Sequence, residues 1–147
     1  MVKIHAYLNF NGNCEEAFTF YQTVFGGPLL GLHRFGDMPA DPDFAMPDAE
    51  KNKIMHTALH INKDVMLMGS DCIENFGHKA VFGTATYIML DTETIDEARA
   101  LHTKLSDQAQ VIEMDLAETF FAELYSSFTD RFGISWMIHY EGNKKMG

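Results

Sequence analysis

Cysteine is scarce in this chain. Its two, Cys14 and Cys72, have neither CxxC spacing nor the dense even count of a secreted disulfide scaffold, so both read as reduced thiols. Long apolar runs are missing too. No stretch approaches the roughly 20 apolar residues of a membrane span, and Met1 to Phe10 alternates in polarity where a signal peptide would be continuously apolar. Both absences point to a cytoplasmic protein. Positive charge is also in short supply: 11 basic against 21 acidic residues give a formal charge of -10, with no basic patch to offset it. Nucleic acid would be repelled, and neither it nor a membrane is an expected partner.

What is present suffices for one soluble domain over residues 1–147, or for two small fused modules sharing a core, since 46% of the 147 residues are hydrophobic and 22% charged. A chain of this size buries about two-thirds of its unfolded surface. It needs no structural metal, so any metal would be functional.

Lys3 to Phe10 alternates, with His5, Tyr7 and Asn9 on one side and Ile4, Ala6, Leu8 and Phe10 on the other, which predicts a strand with one apolar face. Asn13 followed by Glu16 resembles a capping box. Ala17, Phe18, Tyr21, Val24 and Phe25 continue at helical spacing up to Gly26 and Gly27, giving the first helix. Leu29 to Phe35 reads as a strand. Gly36 to Asn52 reads as a solvated lid, because Pro39, Pro42 and Pro47 break any calcium-loop spacing among Asp37, Asp41, Asp43, Asp48 and Glu50. Lys53 to Ile61 and Val65 to Gly69 form a hairpin turning at Asn62-Lys63-Asp64, before a second loop, Ser70 to Gly83.

The pattern then begins again. Thr84 to Asp91 is β-rich, and Thr94 with Glu97 makes a capping box ahead of Ala98, Leu101 and Leu105. Gln110 to Met114, Phe120 to Thr129 and Ser135 to Tyr140 follow as strands. The economical description is α+β: two strand-helix-strand-strand-strand units, at about residues 1–75 and 80–142, with mostly antiparallel pairing. In each unit the helix covers the apolar face of the sheet and leaves the other face free as a pocket wall.

The runs YLNFNGNCEEAFTFYQTVFGG at Tyr7 to Gly27, GDMP at Gly36 to Pro39, KIMHTALHI at Lys53 to Ile61, MGSD at Met68 to Asp71, AETF at Ala117 to Phe120 and TDRFGISWMIHY at Thr129 to Tyr140 carry a resemblance. Together they resemble the PhnB-like branch of the glyoxalase, bleomycin-resistance and extradiol-dioxygenase superfamily, the vicinal oxygen chelate proteins. That resemblance implies paired βαβββ modules around a cup-shaped cavity, often in a homodimer. In metal-using members, His, Glu or Gln from the first and fourth strands of each module hold a divalent metal. Here His5, in HAYLNF, matches the first position. The second falls within Val65 to Gly69, which offers Met66, Leu67 and Met68; the third falls near Ala85 or Thr86; the fourth, in GISWMI, falls on Met137. Thioethers suit such a metal poorly, so His5 is the single candidate ligand and a protein without a metal is the expectation. The branch also carries a demethylubiquinone methyltransferase label, yet this sequence has no glycine-rich strand-to-helix loop for a nucleotide-like cofactor.

Among the residues themselves, His5 is a candidate base as well as a candidate ligand, competing with a hydrogen-bonded pocket histidine. If Met137 faces the cavity, strand parity sends Ser135 and His139 there too. Tyr7, Asn9, Phe121, Trp136 and Met137 are candidate ligand contacts, with plain core the competing reading for the aromatics, Phe120 included. Glu118 in AETF is a candidate cavity acid or an exposed loop carboxylate. His56 and His60 lie about 13 Å apart on a strand, too far to share a metal, and His33, His78 and His102 carry no assigned role. Cys14 sits in the first turn of the helix, where the dipole would activate its thiol; Glu15 and Glu16 oppose that, and a packed or idle thiol is the favoured reading. The expectation is a homodimeric enzyme for a small oxygen-rich or aromatic metabolite, with His5 as ligand or base and Glu118 or His139 as the second polar group. The alternative is a non-catalytic binder that sequesters a hydrophobic or cationic compound.

Overall fold

The computed structural model of the chain describes residues 1–43 and 45–144; Phe44, inside the expected lid, lies outside the described residues. The chain divides into two compact units, Met1–Val81 and a second from Phe82 onward.

The first unit runs β1 (Ala6–Phe10), α1 (Cys14–Phe25), β2 (Leu29–Arg34), β3 (Ile54–His60) and β4 (Met66–Asp71). Its sheet has the order β1-β4-β3-β2, with β1 and β4 parallel and the other pairs antiparallel. Strand β1 starts later than the alternation from Lys3 predicts. Alternation nevertheless sorts the faces as expected: Leu8 and Phe10 are buried while Tyr7 and Asn9 are exposed. On the covered face α1 lies against β3 and β4, burying Ala17, Phe18 and Tyr21, with Phe10, Phe18 and Tyr21 meeting edge to face. This approach is close enough to require glycine at position 69, where a Cβ would come 2.6 Å from the Phe18 ring and 2.8 Å from the Leu8 carbonyl oxygen. The β3–β4 turn is held by Asn62, whose Oδ1 accepts from the Asp64 and Val65 amides.

The second unit runs β5 (Ile88–Asp91), α2 (Ile95–Leu105), β6 (Val111–Ala117), β7 (Leu124–Thr129) and β8 (Ser135–Tyr140), in the order β5-β8-β7-β6 with β5 and β8 parallel. Helix α2 lies against β7 and β8 and buries Ala98 and Leu105. Half of the predicted capping box forms: Thr94 Oγ1 accepts from the Glu97 amide, while the Glu97 carboxylate reaches the amide of Glu93, one residue ahead of the N-cap, at 3.3 Å. Strand β7 does not begin at Phe120. Thr119 Oγ1 accepts the amides of Phe121 and Ala122, and that hydroxyl-stabilised turn delays extended pairing to Leu124. Thr84 to Tyr87 likewise precede β5 without pairing. The architecture is the α+β one expected from the sequence, two βαβββ modules in succession, with each sheet mixed in its pairing.

The first helix is capped differently from the expectation. Asn13 occupies the N-cap position but its side chain makes no cap bond. The buried carboxylate of Asp71, at the end of β4, does this instead: Oδ1 accepts from the Gly12 and Cys14 amides and Oδ2 from the Ile54 amide, all at 2.9 Å. Asp130 plays the corresponding part in the second unit. Its Oδ1 accepts from the Phe132 and Ile134 amides, and its Oδ2 from Trp136 Nε1 at 2.8 Å. The MGSD and TDRFGISW runs therefore each contain a buried carboxylate whose work is structural.

Candidate functional site

Each sheet has one face free of its helix. In the first unit that face carries Tyr7 and Asn9 from β1, Met66, Met68 and Ser70 from β4, Ala58 and His60 from β3, and Leu30 from β2, as the registers require. His33 stands directly opposite His56, and Tyr7 leans across to His56, with Tyr7 Oη 3.3 Å from His56 Nδ1 and the rings stacked at 5.7 Å. The sequence, which sets His56 beside His60 and gives His33 no role, does not show this row, because it forms between strands whose register is not visible in a single run of sequence. Separately, a crevice of about 440 Å³ lies under the 35–51 segment, lined by Phe35, Met38, Pro39, Met46 and Lys51. It shares no residue with either free face.

His5 immediately precedes β1 and is half-buried, with its Nδ1 accepting the Met66 amide at 3.0 Å. A neutral imidazole that accepts through Nδ1 carries its proton on Nε2, so the atom left over is a donor. Ligation through Nε2 would move the proton to Nδ1 and set it against the Met66 N–H. The residues at the positions implied by the family resemblance thus do not fit a divalent metal: His5 has its lone pair engaged, and Met68 and Met137 present thioethers. Among the described residues no group of three or more His, Cys, Asp or Glu is placed to hold a metal ion.

In the second unit the free face takes Met89 and Asp91 from β5, Ser135, Met137 and His139 from β8, and Tyr125, Ser127 and Thr129 from β7. Tyr87, just ahead of β5, donates to the Glu113 carboxylate of β6 at 2.6 Å, joining side chains from the two edges of the sheet; the hydrogen bond to that carboxylate holds the phenol above its ordinary value. His139 Nδ1 lies 2.8 Å from Asp91 Oδ1, its direct partner in the β5–β8 register. Phe121 is nearly parallel to the imidazole, 8° between planes and 6.4 Å between centroids, and meets Tyr125 edge to face at 5.0 Å.

Two expected site residues lie elsewhere. Trp136 is 1% exposed and shares the helix-covered face with Ile138, because the alternation that sends Met137 and His139 to the free face sends Trp136 to the other. Glu118 is no cavity acid: its side chain is 64% exposed and pairs with Lys144 at 3.0 Å, since the AETF run ends in a surface turn. His102, given no role by the sequence, links Ser126 Oγ at 2.9 Å to Asp115 Oδ1 at 3.0 Å. That order imitates a nucleophilic triad, but Ser126 is fully buried on the covered face and cannot meet a substrate.

Cys14 is the packed thiol that the sequence favoured over an activated one. Burial, reinforced by the Asp71 and Glu15 carboxylates, pushes its thiol well above the ordinary value, so the group stays protonated. The sign for stability follows from linkage: in alkali the unfolded chain releases the Cys14 proton while the folded chain keeps it. Stability contributed by this group is complete below the unfolded pKa and is lost at about 1.4 kcal/mol per pH unit above about pH 9. Urea unfolding at about pH 8, 9.5 and 11 is expected to fall more steeply for the wild type than for Cys14→Ala; equal slopes would remove this account. The same carboxylate bears on a nucleotide-like cofactor. Of the N-terminal amides that a helix offers to an anion, that of Cys14 in α1 is already taken by Asp71, and neither sheet is of the parallel doubly wound kind. The residues do not fit S-adenosylmethionine.

Residues 2–139 match the family model described as 3-demethylubiquinone-9 3-methyltransferase. Protein YjdN of Escherichia coli K12 is 30% identical over 137 residues, covering 90% of this chain and 91% of its own length. The crystal structure of protein PA1353 from Pseudomonas aeruginosa is 35% identical, with a TM-score of 0.82 over 96% of this chain and 98% of that one. A PhnB protein of Bacillus cereus, itself named for the same methyltransferase, is 23% identical with a TM-score of 0.72 over 95% and 99%. A glyoxylase/bleomycin resistance protein/dioxygenase domain from a Frankia species, at 11% identity and a TM-score of 0.62 over 96% of both chains, shares the fold alone.

Proposed function

This chain belongs to the PhnB-like family whose model is described as 3-demethylubiquinone-9 3-methyltransferase, within the glyoxalase and bleomycin-resistance superfamily, and from that membership we propose a metal-independent small-molecule-binding protein. The ligand is small and aromatic or oxygen-rich, held on the sheet faces that the helices leave free. The observation that carries this is His5, whose Nδ1 accepts the Met66 amide where a metal ligand would need a free lone pair. Around it, polarisable thioethers and aromatic rings replace charged donors, a lining suited to planar apolar ligands with a few polar contacts. Methyl transfer finds no support in the residues, whatever the name of the family model.

We place the protein in the cytoplasm as a homodimer. No helix among the described residues is long and apolar enough to cross a membrane, and the edge strand β6 exposes Val111, Ile112 and Met114, a liability that a second copy would relieve. A screen of aromatic and oxygen-rich metabolites by thermal shift is the test. At a hundred times its Kd a true ligand contributes about 2.7 kcal/mol, several degrees in Tm, and the shift is expected to survive chelator. Sedimentation of the same sample is expected at twice the 16.6 kDa chain mass. A stoichiometric divalent metal retained through dialysis overturns the metal-free reading, and a Tm unmoved across the panel overturns the binding reading. A ligand recovered unchanged after long incubation would favour sequestration over catalysis.

A further inference from the structure

We propose that Asp91 and His139 form a proton-transfer dyad on the free face of the second unit, removing and returning the proton between the aryl and carbonyl groups of a neutral aryl ketone. The proposal deepens the small-molecule reading and rests on it. It starts from which histidine keeps a usable lone pair. His102 has both ring nitrogens engaged, and His5 accepts through Nδ1 and is left with a donor. His139 has the opposite arrangement: its Nδ1 faces the Asp91 carboxylate at 2.8 Å, which draws the ring proton there, and Nε2, without a hydrogen bond among the described residues, holds the lone pair.

The geometry is fixed by the backbone. Asp91 and His139 are register partners on adjacent parallel strands, and the His139 carbonyl accepts from the Thr92 amide at 2.8 Å and from Thr92 Oγ1 at 3.1 Å. The imidazole is sheltered, with its side chain 15% exposed, while the carboxylate is 71% exposed. The titratable groups that face the ring are Asp91 from β5 and Tyr125 from β7. Phe121, parallel to the imidazole, and Tyr125, edge-on to Phe121, supply the surface for an aryl group. A carboxylated ligand would meet Asp91, so a neutral one is favoured.

The step needs no oxidant, reductant or co-reactant. Nε2 takes the proton from the carbon between aryl and carbonyl, and the C–H electron pair becomes the enolate with its charge on oxygen. The imidazolium is held against Asp91, and return of a proton, or of a solvent deuteron, to that carbon restores the ketone. His139 is the catalytic residue and Asp91 a positioning residue.

Phenylacetone in D2O tests this, with loss of its benzylic proton signal followed by NMR. The wild type is expected to exchange about 100-fold faster than free imidazole at equal concentration, within the usual range for a positioned base. His139→Gln is expected to fall to the imidazole-free rate. Asp91→Asn, a change at an exposed position, is expected to lose at least tenfold, with partial recovery in Asp91→Glu. Wild-type exchange no faster than His139→Gln overturns the dyad, as does an Asp91→Asn rate equal to that of the wild type. Line broadening of the ketone by the protein separates the two failures: broadening without exchange leaves the binding reading standing, and neither signal removes both.

Discussion

Replacing Asp71 with alanine is expected to lower the free energy of unfolding by about 3–5 kcal/mol, enough to unfold much of the protein near its growth temperature. The carboxylate satisfies three amides at once, from Gly12, Cys14 and Ile54. Each buried donor left without a partner costs about 1–3 kcal/mol, discounted where water reaches Gly12. Asp71→Asn retains one acceptor oxygen and presents an NH2 to the other side, so roughly half the loss is expected. Chemical denaturation of both variants checks the ranking. An Asp71→Ala loss below about 1 kcal/mol would mean that water replaces the carboxylate and that it does not organise the helix start.

The second large effect is Trp136→Ala, expected to cost about 3–5 kcal/mol, the range for deleting a fully buried aromatic side chain. The indole also donates to Asp130, which binds the Phe132 and Ile134 amides in the same turn, so the deletion loosens the turn into β8. A residue that lined a ligand site would behave differently, with binding lost and Tm preserved. Denaturation of Trp136→Ala together with Trp136→Phe decides this: the phenylalanine variant is expected to recover the larger part of the loss by refilling the volume, while the indole hydrogen bond stays missing. Stability retained in both variants would return Trp136 to the pocket.

The elements themselves were legible because they are written locally. Hydrophobic period, the Thr94 cap of α2 and the Asn62 turn each operate within a few residues, and each formed where the sequence placed it. Alternation likewise carried enough to sort the free face, and it already separated Trp136 from Met137; the appeal of a large aromatic as a ligand contact worked against that parity. What could not be read depended on partners far along the chain. Asp71 serves Cys14 across 57 residues, and Asp91 meets His139 across 48, a pairing set by the register of two parallel strands. Nothing in a single strand's own residues states that register. The proton position on His5 was hidden for the same reason, since it depends on the Met66 amide 61 residues on.

The two helices differ in where their caps come from, and this has a bearing on synthesis. Helix α2 carries its cap with it, because Thr94 and Glu97 are made together with the turn they stabilise. Helix α1 leaves the ribosome first and borrows its cap from Asp71, which is still unmade. At about 5–20 residues per second that interval lasts several seconds, during which the start of α1 has no partner of its own. A nascent chain halted before β4 is therefore left with a frayed helix and an uncovered apolar face, a form open to chaperones and proteases; the second unit's helix has no such wait for its cap.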